Sequence, residues 1–467
     1  MALGNKRVAS IDILRGITIA GMVLCASIGY NSGLPAWMFH GQTPPPDYAF
    51  HPEVAGITWV DLVFPFFLFA MGAAFPFALR RRMEKGESKF SLIGGLVKRW
   101  LTLTLFALIL GQSHAIWSTT QPVWQVQVFK IVLWVSLFLA LVRVKVPGVV
   151  SGWRKYLGTA VNLAGVAMLA VLAVVFTKWF GIPLNKWACD IIIMILAVMA
   201  VWGGLIWMLT KDNLRLRWIV ILLIAGIKVW STHAPEVLNF VPSCEKIGWF
   251  FSWGWLQYLL IVLPGSIIGD MILNHTRSEE TLEIGKKDIV AGVFAIIAVC
   301  VQLWGLFTRN VFADFCISVA LAALFFILTH KQSNVYTRIA WIGFVLMIVG
   351  IVFDPIDGGI TKDYCNLSYV FTTGGMATIV TAVLFMFEMK YGMRGGFVAG
   401  VGQNPMLAYT VSNWLISPIL ALTGASSVIY GLSEGSMFWG LVQGILITSI
   451  MMGVTYAFTK LKLFWRS

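Results

Sequence analysis

The chain of 467 residues is 58% hydrophobic and only 12% charged, with a mean hydropathy of +0.83. That balance excludes a soluble domain and leaves a polytopic membrane protein. A net charge of +13 would suggest nucleic acid in a soluble protein, but here the cations read as topology signals, and no nucleic-acid partner is expected.

Apolar runs of bilayer length predict an all-α bundle of about 14 transmembrane helices. They fall near 11–30, 57–78, 93–112, 124–142, 157–177, 188–210, 216–232, 255–274, 288–307, 311–330, 337–353, 366–389, 405–424 and 437–459. With the N-terminus in the cytoplasm the loops alternate, and most Lys and Arg then fall inside. Arg80, Arg81, Arg82, Lys85, Lys89, Lys98 and Arg99 follow the second span, and Lys460, Lys462 and Arg466 close the chain. Lys178, Lys186, Lys246, Arg309 and Lys362 fall outside, while Arg15, Lys130 and Lys228 lie within spans. Both termini are therefore predicted to be cytoplasmic. The reading is one integral membrane domain over 1–467, with a core at 8–143 and 253–467 and extra helices in 150–235. Short loops suit a bacterial inner membrane and leave no room for an attached soluble catalytic domain.

Lys6 and Arg7 before the first apolar run imitate a signal peptide, but Asp12 and Arg15 in its first turns argue for a retained helix. Those two charges are three apart on one face, where they can neutralise each other. The loop from Asn31 to Ala55 is rich in proline and aromatic residues and holds no Lys or Arg. Such a composition predicts an ordered cap. It carries His40 and His51, with Asp47 and Glu53 close by.

The chain is organised around His51–Gly72, HPEVAGITWVDLVFPFFLFAMG. Asp61 is expected about one turn inside a lipid-thick helix, where a carboxylate costs a few kcal/mol and needs a partner or a function. Thr58, Asp61 and Pro65 share a face, with Pro65 expected to kink the helix. His51, at the mouth of the bundle, is suited to moving protons near neutral pH. A satisfied packing Asp beneath an incidental His explains the same residues.

His114 is expected at that same mouth. Lys130 lies too deep in the fourth span to be a surface charge, and Asp61 is the expected counter-ion. A later outer loop holds His233 and Glu236 and ends in WFFSWGW, an interfacial aromatic belt in preference to a sugar-stacking surface. In DPIDGGITKDYCNLSY, Asp354 and Asp357 read as a solvated turn. In GQNPMLAY, Gly402 to Pro405 form a turn and helix start, with Asn404 and Tyr409 offering polar groups. Cys25, Cys300 and Cys316 are in spans, and Cys189, Cys244 and Cys365 are at or near the outer face, where a bridge is open to any two. No CxxC or HExxH pattern supports a metal site.

The motif D-x-x-R-G at Asp12, Arg15 and Gly16, followed by G-x-T-x-x-D-L-V-F-P-x-F-x-F-x-M-G from Gly56 to Gly72, resembles the heparan-α-glucosaminide N-acetyltransferase family of transmembrane acyltransferases. Ser368-Tyr369, Gly402 with Asn404, and the terminal KLKLFW are similar too. The resemblance implies that acetyl-CoA on the cytoplasmic side gives its acetyl group to an amino sugar on the other. It also implies a helper His just before G-x-T-x-x-D, the position of His51. The sequence departs from the family in three places. Ala26 or Ser27 stands where the family has an Asn, Phe129-Lys130 replaces a Q-R pair, and the loop to His51 is longer, which brings His40 in as a competitor.

The expected chemistry is proton transfer by His51, or its brief acetylation. Asp61 would orient the imidazole or hold Lys130, and Asn404 or Lys130 would stabilise the oxyanion. Arg15, Lys98 and Arg99 are the candidate cofactor-binding residues for a phosphate-bearing thioester. The partners expected are the lipid bilayer, acetyl-CoA and a sugar or glycan acceptor, with a homo-oligomer left open. The rival is a transporter or flippase, which the Gly/Pro-interrupted segment LPGSIIGD would suit. The second half holds no second copy of either motif, which a carrier built from repeats would show.

Overall fold

A computed structural model describes residues 8–118, 122–143, 156–185, 187–234, 250–278, 284–331, 334–393 and 395–465. Lys6, Arg7, Lys186, Glu236, Cys244, Lys246 and Arg466 lie outside the described residues, as does the His233 side chain. The fold is all-α. Its long helices are α1 (Ala9–Ser27), α2 (Trp59–Glu84), α3 (Lys89–His114), α4 (Val123–Leu141), α5 (Leu157–Trp179), α6 (Ile191–Thr210), α7 (Leu214–His233), α8 (Trp253–Ser278), α9 (Lys286–Phe307), α10 (Val311–Thr329), α11 (Val335–Phe353), α12 (Leu367–Tyr391), α13 (Pro405–Leu422) and α14 (Met437–Lys460). All but α7 are long and apolar enough to cross a bilayer, thirteen among the described residues. The seventh predicted span does form a helix, but α7 carries Arg215, Arg217 and Lys228 along its 20 residues.

Two compact units make up the chain. The first comprises Met1–Thr18, Pro35–Leu101 and Met194–Gly396, and the second Ile19–Leu34, Thr102–Ile193 and Phe397–Ser467. In the first, α2 lies against α8 at backbone contact distance. A Cβ added at Gly72 would strike the Val262 carbonyl, and one at Gly265 or Gly269 would strike the carbonyls of Phe69 and Ala73. Without a hydrophobic drive between helices in lipid, small residues that let backbones approach supply the packing. The glycines of LPGSIIGD therefore serve as a contact stripe, and the helix runs unbroken from Leu259 to Ser278 with Pro264 inside it.

The charges of α7 have partners in the same unit. The fully buried Arg217 pairs with Asp270 of α8 at 2.7 Å, and the Trp207 indole donates to the same carboxylate. Lys228 donates to the Gln257 side chain at 2.7 Å and to the Tyr364 carbonyl at 3.0 Å. At the other end of the chain's reach, both Glu388 oxygens accept from the Ala9 and Ser10 amides and so cap α1.

In the second unit α4 packs on α5, and the only pair of strands among the described residues, Val142–Arg143 with Phe464–Trp465, is antiparallel. Asn404 stands just before α13, with Pro405 as its first residue and no side-chain capping bond, so GQNP forms the helix start that its turn chemistry predicts.

Candidate functional site

Asp61 enters the fold as part of a helix start. Trp59–Leu62 is a single tight turn, and Thr58 caps it: its hydroxyl accepts from the Val60 amide while Asp61 accepts from the Thr58 amide. Pro65 falls in the first turn of the α segment Val63–Phe75, where its missing N–H is harmless, so the expected kink is not needed. The carboxylate is 1% exposed, and the first unit supplies everything that offsets its burial. Oδ2 accepts from the Gly41 amide at 3.0 Å and the Thr58 amide at 2.9 Å. Oδ1 lies 2.7 Å from His40 Nδ1, and the Lys362 ammonium stands 4.0 Å from Oδ1 and 3.4 Å from Nδ1. A helix N-terminus adds further stabilisation for a negative charge.

The pairing of Asp61 with His51 is therefore not formed. The reason is the path of the loop. Gln42, 1% exposed, ties it into a closed turn by donating its side-chain amide to the Val54 and Gly56 carbonyls, both at 3.0 Å, while its backbone carbonyl accepts from the His51 amide. The Thr58 hydroxyl donates to the Phe39 carbonyl at 2.7 Å. These bonds carry residues 39–41 over the carboxylate and leave His51 on the rim, 3.4 Å from Asp47 and 3.4 Å from Glu53. There the Ala49 amide and His51 hold the Asp47 carboxyl below the usual range. Two glycines make the route possible. A Cβ on Gly41 would lie 2.8 Å from the Gly56 carbonyl, and Gly56 has φ +130°, a conformation that favours glycine.

A second loop backs the first. Tyr369 donates to the Asp61 carbonyl at 2.8 Å, and the Gly56 amide donates to the Ile360 carbonyl. Asp354 is not a solvated turn residue: it is 2% exposed, bidentate with Arg309 at 2.9 and 2.8 Å, and accepts from the Ile360 amide. Asp357 accepts from the Ser368 amide. The turn that sequence alone assigns to solvent thus fixes the segment carrying Lys362. Gln42 is the site residue that sequence reasoning missed outright, whereas Lys362 and Tyr369 lay inside the quoted segment DPIDGGITKDYCNLSY without a role at the site.

His40 is the group this arrangement equips for chemistry. A carboxylate only accepts, so Nδ1 carries the proton donated to Asp61, and Nε2 is left as the basic nitrogen. The side chain is 35% exposed, and Nε2 has no hydrogen-bond partner among the described residues.

The other predicted residues are placed elsewhere. Lys130 is half-buried in α4, within the second unit, and Asp61 takes its cation from Lys362 instead. Lys130 lies within electrostatic reach of His114, and His114 of Asp190. The His114 ring stacks on Trp414, and Tyr409 donates to Asp190 at 2.7 Å. Asn404 is fully buried. Its amide nitrogen donates to the Leu463 carbonyl at 2.9 Å and its oxygen accepts from the Trp465 amide at 3.1 Å. Both ends of the amide clamp the terminal strand, so Asn404 is not arranged as an oxyanion donor. Arg15 sits 3.7 Å from Asp12 and donates to the Ala70 carbonyl of α2 at 3.0 Å. Arg99 lies within electrostatic reach of Arg15, with a sealed Nε that has no hydrogen-bond partner among the described residues. Lys98 is exposed. Among the described residues no group of His, Cys, Asp and Glu could hold a metal. Cys189, Cys300, Cys316 and Cys365 are free thiols there, and the Cys25 thiol donates to the Met22 carbonyl at 3.1 Å.

A family model described as a domain of unknown function, DUF5009, matches residues 7–272, more than half of the chain. The chain belongs to the DUF5009 family. This DUF5009 protein is similar to the heparan-alpha-glucosaminide N-acetyltransferase of Mus musculus, 21% identical over 474 residues that cover 99% of this chain and 60% of the relative. It is also similar to the Homo sapiens protein of the same name, 32% identical over 104 residues, 22% of this chain and 14% of that one. The chain thus spans about 60% of the length of the mouse relative. The resemblance carried by the motifs at Asp12–Gly16 and Gly56–Gly72 extends along nearly the whole sequence.

Proposed function

We propose that this protein is a membrane acetyltransferase that passes an acetyl group from cytoplasmic acetyl-CoA to a sugar or amino-sugar acceptor on the other side of the membrane. The observation that carries the reading is the His40–Asp61 pair, a solvent-reachable imidazole oriented by a buried carboxylate beside Lys362. Support for the reaction class comes from the named relatives.

His40 Nε2 takes the proton from the acceptor amine or hydroxyl as it attacks the thioester carbonyl. Asp61 fixes the tautomer and favours the imidazolium that forms, and the Lys362 ammonium offers positive charge to the developing oxyanion. The proton then passes to the departing CoA thiolate. Arg15 and Arg99 are the donor's phosphate site in this reading. Two guanidiniums within reach of each other repel, and an anion between them relieves that repulsion. Arg15 bonds α2 at Ala70, roughly 14 Å along the helix from Asp61 at the usual rise per residue. The pantetheine arm bridges such a gap. In this reading His51 shapes the rim, and the helices of 150–235 are an addition to the transferase core.

The test is to follow acetyl-labelled acetyl-CoA with the purified full chain in lipid and a panel of amino and neutral sugars. Label covalently joined to a sugar, with release of CoA, is the expected result. Release of unmodified solute on the far side without acetylation would support a carrier instead. Arg15→Gln and Arg99→Gln are expected to raise the KM for acetyl-CoA about tenfold each, with a smaller effect on kcat.

A further inference from the structure

The second unit holds a cavity of about 480 Å³ that none of the chemistry above uses. Its volume lies in the range of small-molecule sites. The end of α1 with the residues just after it, the second half of α13, the short helix Ala425–Ser433 and the first half of α14 line it. Its polar groups are hydroxyls and amides, among them Ser27, Asn413, Ser417, Tyr430 and Gln443. The one charged lining residue is Glu434, exposed at the rim, and no Lys, Arg or His takes part.

Gln443 makes this space more than a packing gap. It is 4% exposed. Its Nε2 donates to the Ser27 carbonyl at 2.8 Å, which fixes the amide, while Oε1 is buried with no hydrogen-bond partner among the described residues. A buried acceptor left without a hydrogen bond is costly, and because Gln443 lines the cavity a ligand with a donor is favoured there. A ligand bearing a negative charge would find no cation and would meet Glu434. Adaptable hydroxyls, amides and a tyrosine rim are suited to an uncharged ring with several hydroxyl groups, whose apolar faces lie on Tyr430 and whose O–H groups donate inward.

We propose that this cavity binds an uncharged saccharide unit, with a sugar hydroxyl or amide N–H donating to Gln443 Oε1. The proposal goes beyond the transferase reading and requires no acetyl transfer, so its test reads binding alone.

The probe is N-acetylglucosamine, added to the full chain in lipid nanodiscs free of glycoside detergents, with bound radiolabel and thermal unfolding as readouts. Saturable binding and a raised Tm are expected. Glucuronic acid, of similar size but anionic, should bind at least tenfold more weakly. Gln443→Leu should lose binding at least tenfold. Ser417→Leu, which fills the cavity while leaving the Gln443–Ser27 bond in place, should do the same, and it keeps the test open if Gln443→Leu unfolds. The proposal is overturned if the parent binds no N-acetylglucosamine, if glucuronic acid binds as tightly, or if Ser417→Leu binds like the parent. None of these outcomes depends on whether acetyl-CoA is turned over.

Discussion

Asp61 illustrates how a carboxylate can remain deep in an apolar helix bundle. Its burial would be costly alone, but two backbone amides, one imidazole and an ammonium surround it, and burial with such partners is how buried charges persist. Removing the negative charge while keeping the shape, as in Asp61→Asn, should leave Nδ1 of His40 without its acceptor of choice and lower kcat by about 100-fold or more, within the usual worth of a positioned base. Asp61→Asn should also move the activity pH profile, which a purely structural role would not do. Cys365 makes a second residue-level case. Burial pushes its thiol up to about 12, against an ordinary value of 9.0, with Lys228 opposing the shift. The fold holds that proton more tightly than the unfolded chain, so the stability it lends is complete below about pH 9 and fades as pH rises toward 12. Native protein treated with a maleimide at pH 7.5 (about neutral) should therefore leave Cys365 unlabelled by mass spectrometry, and denatured protein should label it. Full labelling of the native state would contradict its burial.

At the scale of elements, the close approach of α2 and α8 depends on Gly72, Gly265 and Gly269. Gly269→Leu should lower the Tm of the purified chain by several degrees. Gly374→Ala in α12, where an added Cβ meets nothing within 4 Å, should leave it unchanged. Similar melting of the two variants would sink the packing argument. Asn404 gives the second element-level prediction. As the clamp on Phe464–Trp465 it should, when changed to Ala, cost about 1–3 kcal/mol through the orphaned backbone groups. The C-terminus should become sensitive to protease, while kcat per folded molecule stays within a few-fold of the parent. These elements also show what the sequence could and could not convey. Long apolar runs announce helices because lipid forces every backbone polar group to be satisfied within the segment. The expected fourteen segments all form helices, although α7 is too charged to stand with the apolar thirteen. What hydropathy does not carry is the course of a loop. His51 stands ten residues before Asp61 and looks well placed by spacing, yet the bonds of Gln42 and Thr58 turn the chain so that His40 meets the carboxylate. Lys362 and Asp354 come from far along the chain, where no local pattern ties them to residues 39–61.

At the scale of the whole molecule, stability in the first unit draws on the ion pair that fastens α7 to α8. Breaking it on one side, with Arg217→Met, leaves Asp270, only 13% exposed, without its cation and should cost about 3 kcal/mol. Replacing both partners with apolar residues should recover most of that loss in denaturant unfolding. Failure of the double variant to recover would show that the charges do more than pair. The functional reading, by contrast, rests on one choice between two histidines that lie on the same loop. The most direct measurement is the acetyl-CoA turnover of His40→Gln and His51→Gln, purified and assayed side by side at equal folded concentration. The account predicts that His40→Gln loses about 100-fold or more of kcat and that His51→Gln stays within a few-fold of the parent. A parent-like His40→Gln, or a His51→Gln that loses as much, would contradict it.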